Sequence, residues 1–233
     1  MNETEFWGGF ELTSKEINLA IESFYTWLEI HNYAMANKEI YSLLNKTPSF
    51  WNINLYGLQA SYFLALGRIF DTGKDSHSIH KFIKSCIDHP EHFSREALEK
   101  RKQGDSEKPD WLDNFMKETY LPQISDFGKI KKEISLHRNK FDEIYRDIRN
   151  CVFAHNIANN PGATAEMFGK TKIADIEEML YFLHDLQGVV FNLFYNGVKP
   201  DLGKKEYSYK ERISSEVRQA INILDARTKG NNA

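Results

Sequence analysis

Apolar side chains return at every third or fourth position through long stretches of this chain, and no convincing run of strands interrupts them. That period places one apolar stripe on each helix, and the stripes have to be buried against one another. Thr13 and Glu16 stand at capping-box spacing. Ile17, Ile21, Phe24, Tyr25 and Leu28 follow at helical intervals, which predicts a helix from Thr13 to about Leu44. Pro48 suits the first turn of a second helix. Its stripe is Leu55, Leu58, Tyr62, Leu66 and Ile69, widened by Phe63 and Phe70. So much of its circumference is apolar that it is expected deep in the core. Asp71-Thr72-Gly73 is a plausible stop.

Residues 74–120 are less regular. Short helices fit 78–86 and 94–102, and the polar stretch 103–109, which contains Gly104, reads as a loop. The region has the look of an insertion or a cap on the main bundle. A long helix is predicted over 122–156, with Ile130, Ile134, Phe141, Ile144 or Tyr145, Ile148 and Val152 as its stripe. The sequence Asn-Asn-Pro-Gly-Ala-Thr at 159–164 reads as a turn. A fourth long helix covers 173–195 and is closed by Asn196-Gly197, both tolerant of the left-handed conformation. A charged helix over 209–227, within a tail spanning 203–233, is expected to pack loosely or meet a partner. The economical architecture is all-α: one domain over 1–233, an antiparallel helical bundle with additional helices.

Composition removes several function classes. No run of eighteen apolar residues is present, so no membrane span is expected. The first ten residues are acidic and aromatic, unlike a signal peptide. Two cysteines, Cys86 and Cys151, do not suggest a disulfide framework and fit a reducing cytoplasm. Net charge is −3, which argues against a general basic coat for nucleic acid. The charge is uneven, however. Residues 129–149 hold seven Lys/Arg against four Asp/Glu, and residues 199–229 hold eight against five. Phosphate binding would use such local patches, although charge alone favours solvated helix faces.

The chemistry concentrates in Tyr145-Arg146-Asp147-Ile148-Arg149-Asn150-Cys151-Val152-Phe153-Ala154-His155-Asn156. An Arg, a polar neighbour and, after a few positions, a His preceded by a small residue close a long helix just before a turn. This segment resembles the signature of the HEPN superfamily of ribonucleases. Upstream, Leu66-Gly67-Arg68-Ile69-Phe70-Asp71 closes an apolar helix and looks like the matching segment of the abortive-infection U-type branch. The resemblance covers about half the chain and leaves out 74–120 and the tail beyond 200.

The resemblance implies metal-independent RNA cleavage without a cofactor, at a composite site made when two motifs face each other across a homodimer. It also implies a bacterial toxin or phage-defence role, restrained by an antitoxin or another defence protein. His155 would be general base or acid toward the ribose 2′-hydroxyl or the leaving 5′-oxygen, since its ordinary pKa lies near neutrality. Arg149 would hold the scissile phosphate with its planar fork. Asn150 would orient either residue, and Arg146, one turn from Asn150, would add phosphate attraction. Six residues of α-helix advance about 9 Å and turn through about 240°. Arg149 and His155 of one chain therefore project together only if the helix end unwinds. Otherwise a second chain supplies the partner.

The residues alone also support a bland reading. His155 extends the apolar stripe, and Arg149 lies one step off it, where it would pair with Asp142 or Asp147. Cys151, on the stripe, is expected to be a buried, inert thiol. His77 with His80, and His89 with His92, are spaced for one helix face, yet no carboxylate or Cys pattern at familiar ligand spacing joins them, and no metal is expected. Two other functions stay open: a non-catalytic nucleotide- or RNA-binding or dimerisation module, and a structural partner in a defence complex docking through its tail.

Overall fold

The computed structural model describes residues 3–154, 161–203 and 209–230. Among these, every regular element is helical. The helices are α1 (Glu3–Ala36), α2 (Lys38–Leu44), α3 (Pro48–Ile69), α4 (Ile79–Asp88), α5 (Arg95–Gln103), α6 (Leu112–Glu118), α7 (Ile124–Ile144), α8 (Arg146–Ile148), α9 (Pro161–Gly169), α10 (Ile173–Phe191) and α11 (Tyr209–Gly230). A 3₁₀ turn spans Pro90–Phe93, and π-turns span Arg149–Ala154 and Asn192–Asn196. The all-α expectation holds.

The first helix begins ten residues before Thr13. The Thr13 hydroxyl donates to the Gly9 carbonyl at 2.9 Å, a bond inside the helix and not a cap. Tertiary packing recruits the earlier turns: Phe6 is fully buried and stacks on Phe194 with ring centroids 3.6 Å apart. Asn37 then divides the expected single helix. Its side chain accepts from Glu39 N–H at 2.9 Å and Ile40 N–H at 3.3 Å and so caps α2.

Only the second half of α3 lies in the core. Tyr62, Phe63, Ala65, Leu66 and Ile69 are buried against α1 and the Arg149 region, but no residue from 48 to 61 is buried. Phe50 is 58% exposed, Ile53 64% and Tyr56 50%. The expectation that the whole helix lies deep is corrected here: in that half Trp51, Leu55 and Leu58 are only partly buried, against Ile30, Ile40, Leu43 and Ile221, and the opposite face is open.

Residues 74–120 fold as α4, the 3₁₀ turn, α5 and an unanticipated short α6. Ser94 caps α5, accepting from Ala97 N–H at 3.2 Å. Arg101 donates to the Phe194 carbonyl at 2.9 Å, and Lys102 to Asn196 Oδ1 at 3.0 Å. Tyr120 N–H donates to the Gly197 carbonyl at 2.7 Å, where Gly197 adopts φ +56°. Thus α5 and α6 close the end of the bundle where α7 begins and α10 finishes. Arg149 is roughly 30 Å away along α7.

The last helix is not loose. It lies along α1, burying Ile213 and Ile221. Arg218 pairs with buried Glu29 at 2.5 Å, Lys210 with Glu177 at 2.7 Å, and the Tyr33 hydroxyl donates to Asn222 at 2.7 Å. Burial of two isoleucines outweighs the charged composition that suggested a free tail, and the Arg218 pair offsets the cost of burying Glu29.

Candidate functional site

The expected unbroken helix through the motif does not form. Tyr145 falls at a break between α7 and α8, and the backbone then widens into the π-turn Arg149–Ala154. Such turns are rare and concentrate at functional sites. The break has a visible cause. Tyr145 is fully buried. Its hydroxyl donates to the Lys172 carbonyl at 3.2 Å and accepts from Lys172 N–H at 3.4 Å, which ties the motif to the start of α10. Further along, Phe153 stacks on Phe63 with centroids 5.0 Å apart and meets Tyr56 at 5.7 Å and Phe168 at 6.3 Å. One aromatic anchor at each end fixes the widened segment.

Arg149 lies flat on Gly67 of α3. A Cβ at position 67 would stand 2.7 Å from Arg149 Nε, 3.0 Å from Cγ and 3.1 Å from Cδ. The two sequence segments singled out, Leu66–Asp71 and the described part of 145–156, therefore meet at this contact. Arg149 Nη1 donates to Asn150 Oδ1 at 2.8 Å, which holds the far end of the guanidinium. Arg149 Nε is buried without a hydrogen-bond partner among the described residues. The Nε atoms of Arg68, Arg101 and Arg138 are in the same state, so the feature does not single out Arg149.

Arg149 forms no ion pair among the described residues. Asp142, the surface partner the bland reading offered, is taken: Arg146 meets it at 2.5 Å and Arg138 at 3.8 Å. Arg146 is thus half neutralised, although its side chain is 44% exposed and such pairs contribute little to stability. Cys151 is only half-buried, which corrects the expectation of a fully buried thiol. Asp147 is exposed and forms no ion pair with Arg149. The predicted turn at 159–164 also changes, since Pro161 opens α9 and a third helix separates the motif from α10. His155, the remaining predicted site residue, lies outside the described residues.

Gly67, Phe70, Asp71, Thr72, Gly73, Phe141, Arg146, Arg149 and Asn150 line one open cleft of about 340 Å³. Its rim is the loop after α3, where Asp71 accepts from Gly73 N–H at 2.9 Å. Lys81 of α4 clamps this loop by donating to the carbonyls of Gly73, Lys74 and Ser76. Asp71 is the one carboxylate in the cleft lining, a poor donor set for a metal ion. The cleft offers two guanidinium groups, an amide and backbone, which suits a phosphodiester. Sequence reasoning missed Gly67 as a determinant of Arg149 and missed the Lys81 clamp. A glycine inside an apolar helix was the available signal for the first. Nothing in spacing marks the second.

A protein-family model described as HEPN_AbiU2 (AbiU2) matches residues 10–216 of the chain. No curated protein and no solved structure matches it. Among the described residues no helix is long and apolar enough to cross a membrane.

Proposed function

The chain belongs to the HEPN_AbiU2 abortive-infection family, and from that membership and the Arg149 cleft we propose that it is a metal-independent endoribonuclease acting as a homodimer. One observation carries the reading. Arg149 is held against Gly67 and Asn150 and lines, with Arg146, one open cleft that also contains Asn150.

In this mechanism Arg149 binds the non-bridging oxygens of the scissile phosphate and steadies the charge that builds on them. Asn150 fixes the guanidinium plane. His155 of one copy removes the proton from the ribose 2′-hydroxyl, whose oxygen attacks phosphorus. The bond to the 5′-oxygen breaks, and that oxygen takes a proton from His155 of the other copy. The products are a 2′,3′-cyclic phosphate and a 5′-hydroxyl, and DNA, lacking the nucleophile, is resistant. Arg146 adds attraction for a flanking phosphate once it releases Asp142. The exposed apolar half of α3 supports the dimer. Phe50, Ile53 and Tyr56 form an exposed apolar face that runs, through the Tyr56–Phe153 contact, up to the motif. A toxin or phage-defence role, with an antitoxin or another defence protein as restraint, follows from the family.

The test is incubation of the protein with labelled total RNA in EDTA, beside Arg149→Ala and His155→Ala, with product ends and oligomeric state measured. Cleavage by wild type alone, leaving cyclic phosphate ends, supports the reading. RNA binding by wild type without cleavage, unchanged in His155→Ala, replaces it with a binding module.

A further inference from the structure

A second cluster of chemistry-bearing side chains lies at the other end of α4, in His89-Pro90-Glu91-His92. The segment from Pro90 to Phe93 is a 3₁₀ turn. His89 caps that turn, and its ring lies 6.2 Å from the ring of His92, centroid to centroid. His92 N–H donates to the His89 carbonyl at 3.3 Å and closes the turn. Pro90 fixes its own φ. Phe93 is buried and packs on Phe127 with centroids 4.8 Å apart, which anchors the turn to the core.

Glu91 reaches both imidazoles. Its Oε1 stands 3.0 Å from His89 Nδ1 and 3.6 Å from His92 Nε2. All three ligand atoms lie within 4.8 Å of one another. Nitrogen and oxygen ligands sit about 2.0–2.2 Å from a tetrahedral zinc ion, which puts ligand atoms about 3.3 Å apart. The spacing in the turn therefore brackets what the ion requires, without rearrangement of the backbone. Asp88 is already paired with Lys84, and Cys86 is buried in the core, so neither belongs to this set.

We propose that His89 Nδ1, Glu91 Oε1 and His92 Nε2 bind one divalent transition ion, zinc being the best match for two imidazoles and a carboxylate. The fourth position is taken by water, since Glu91 faces solvent. The ion closes the turn that leads from α4 toward α5, and none of its ligands lines the Arg149 cleft, so it acts on stability and not on phosphodiester chemistry. This inference is independent of the ribonuclease reading.

The experiment is calorimetric titration of chelator-stripped, full-length protein with Zn²⁺, repeated with Co²⁺ absorption. It is run beside His89→Ala, His92→Ala, the double variant and Glu91→Gln. Wild type is expected to bind one ion per chain. Each single variant weakens binding by at least about 10–100-fold, the range seen for lesser changes around metal sites. Zinc at tenfold excess over Kd raises the wild-type Tm by about 3–6 °C, a shift the double variant loses. Uptake of no ion by wild type, or equal uptake by the double variant, overturns the proposal. RNA cleavage is not read, so either result leaves the Arg149 mechanism untouched.

Discussion

At the scale of single residues, the contact between Gly67 and Arg149 decides how the site is aimed. The Arg149 atoms that a Cβ at 67 would meet are Nε, Cγ and Cδ, at 2.7, 3.0 and 3.1 Å. These belong to the middle of the side chain and not its free tip, and Asn150 holds the far end. Gly67→Ala must therefore displace the guanidinium. The helix itself gains from the change, by up to about 1 kcal/mol, because Ala is the better helix former. Stability is expected to stay within about 1 kcal/mol of wild type while RNA cleavage falls by up to about 10²-fold, the effect of a misplacement near 1 Å. Urea unfolding together with the cleavage assay separates the two quantities. Equal cleavage by Gly67→Ala would mean that Arg149 is not positioned by α3. Arg149, Asn150 and Arg146 were legible in the sequence as a motif. The pairing of Asn150 with Arg149 was anticipated too, but the Gly67 contact was not. Asp142 was legible as a possible partner of Arg149, and the structure gives it to Arg146, because only the three-dimensional path of the helix decides which of two nearby arginines meets a carboxylate.

At the scale of elements, the π-turn carries the motif, and aromatic packing holds it. Phe153 touches Phe63, Tyr56 and Phe168, three rings from two other helices. It is half-buried, so Phe153→Ala is expected to cost about 1–2 kcal/mol, less than full burial of a Phe would imply. The loss should fall mainly on the segment from 149 to 154. Amide hydrogen exchange would then rise there more than in α1 or α10. Uniform loss of protection across the chain would contradict a locally anchored turn. The long periodic segments of α3, α7 and α10 were readable because their stripes are sustained over many turns. Two kinds of feature were not. The start of α1 depends on Phe6 finding Phe194, nearly the whole chain away. The break at Tyr145 depends on a hydroxyl reaching the backbone of Lys172. Periodicity is a local quantity and contains neither.

At the scale of the whole molecule, burial of histidines couples the fold to pH. His137 stacks on Phe182 at 4.1 Å, His31 meets Trp27 at 4.7 Å and His184 meets Tyr209 at 5.1 Å. Burial pushes the pKa of these three, and of His80, below the ordinary value of 6.5. For His80 the nearby Arg138 adds to the effect. Each group is more readily protonated when the chain is unfolded. Below pH 6.5 the unfolded state therefore binds more protons, and stability drops as the pH falls toward and through the depressed values. Above pH 7 the groups are neutral in both states and stability does not respond to them. Carboxylates of ordinary pKa stay ionised down to about pH 5, so histidines dominate the window from pH 7.5 to 5.5, with only Asp185, pushed up by burial, acting in the opposite sense among the described carboxylates. Tm is expected to fall steadily across that window. His137→Phe keeps a ring against Phe182 and removes one titrating group, so its Tm should fall less steeply. A wild-type Tm that is flat or rises toward pH 5.5 would show that these imidazoles are hydrated in the folded chain, and the packing of α7 against α10 through His137 and Phe182 would then need revision.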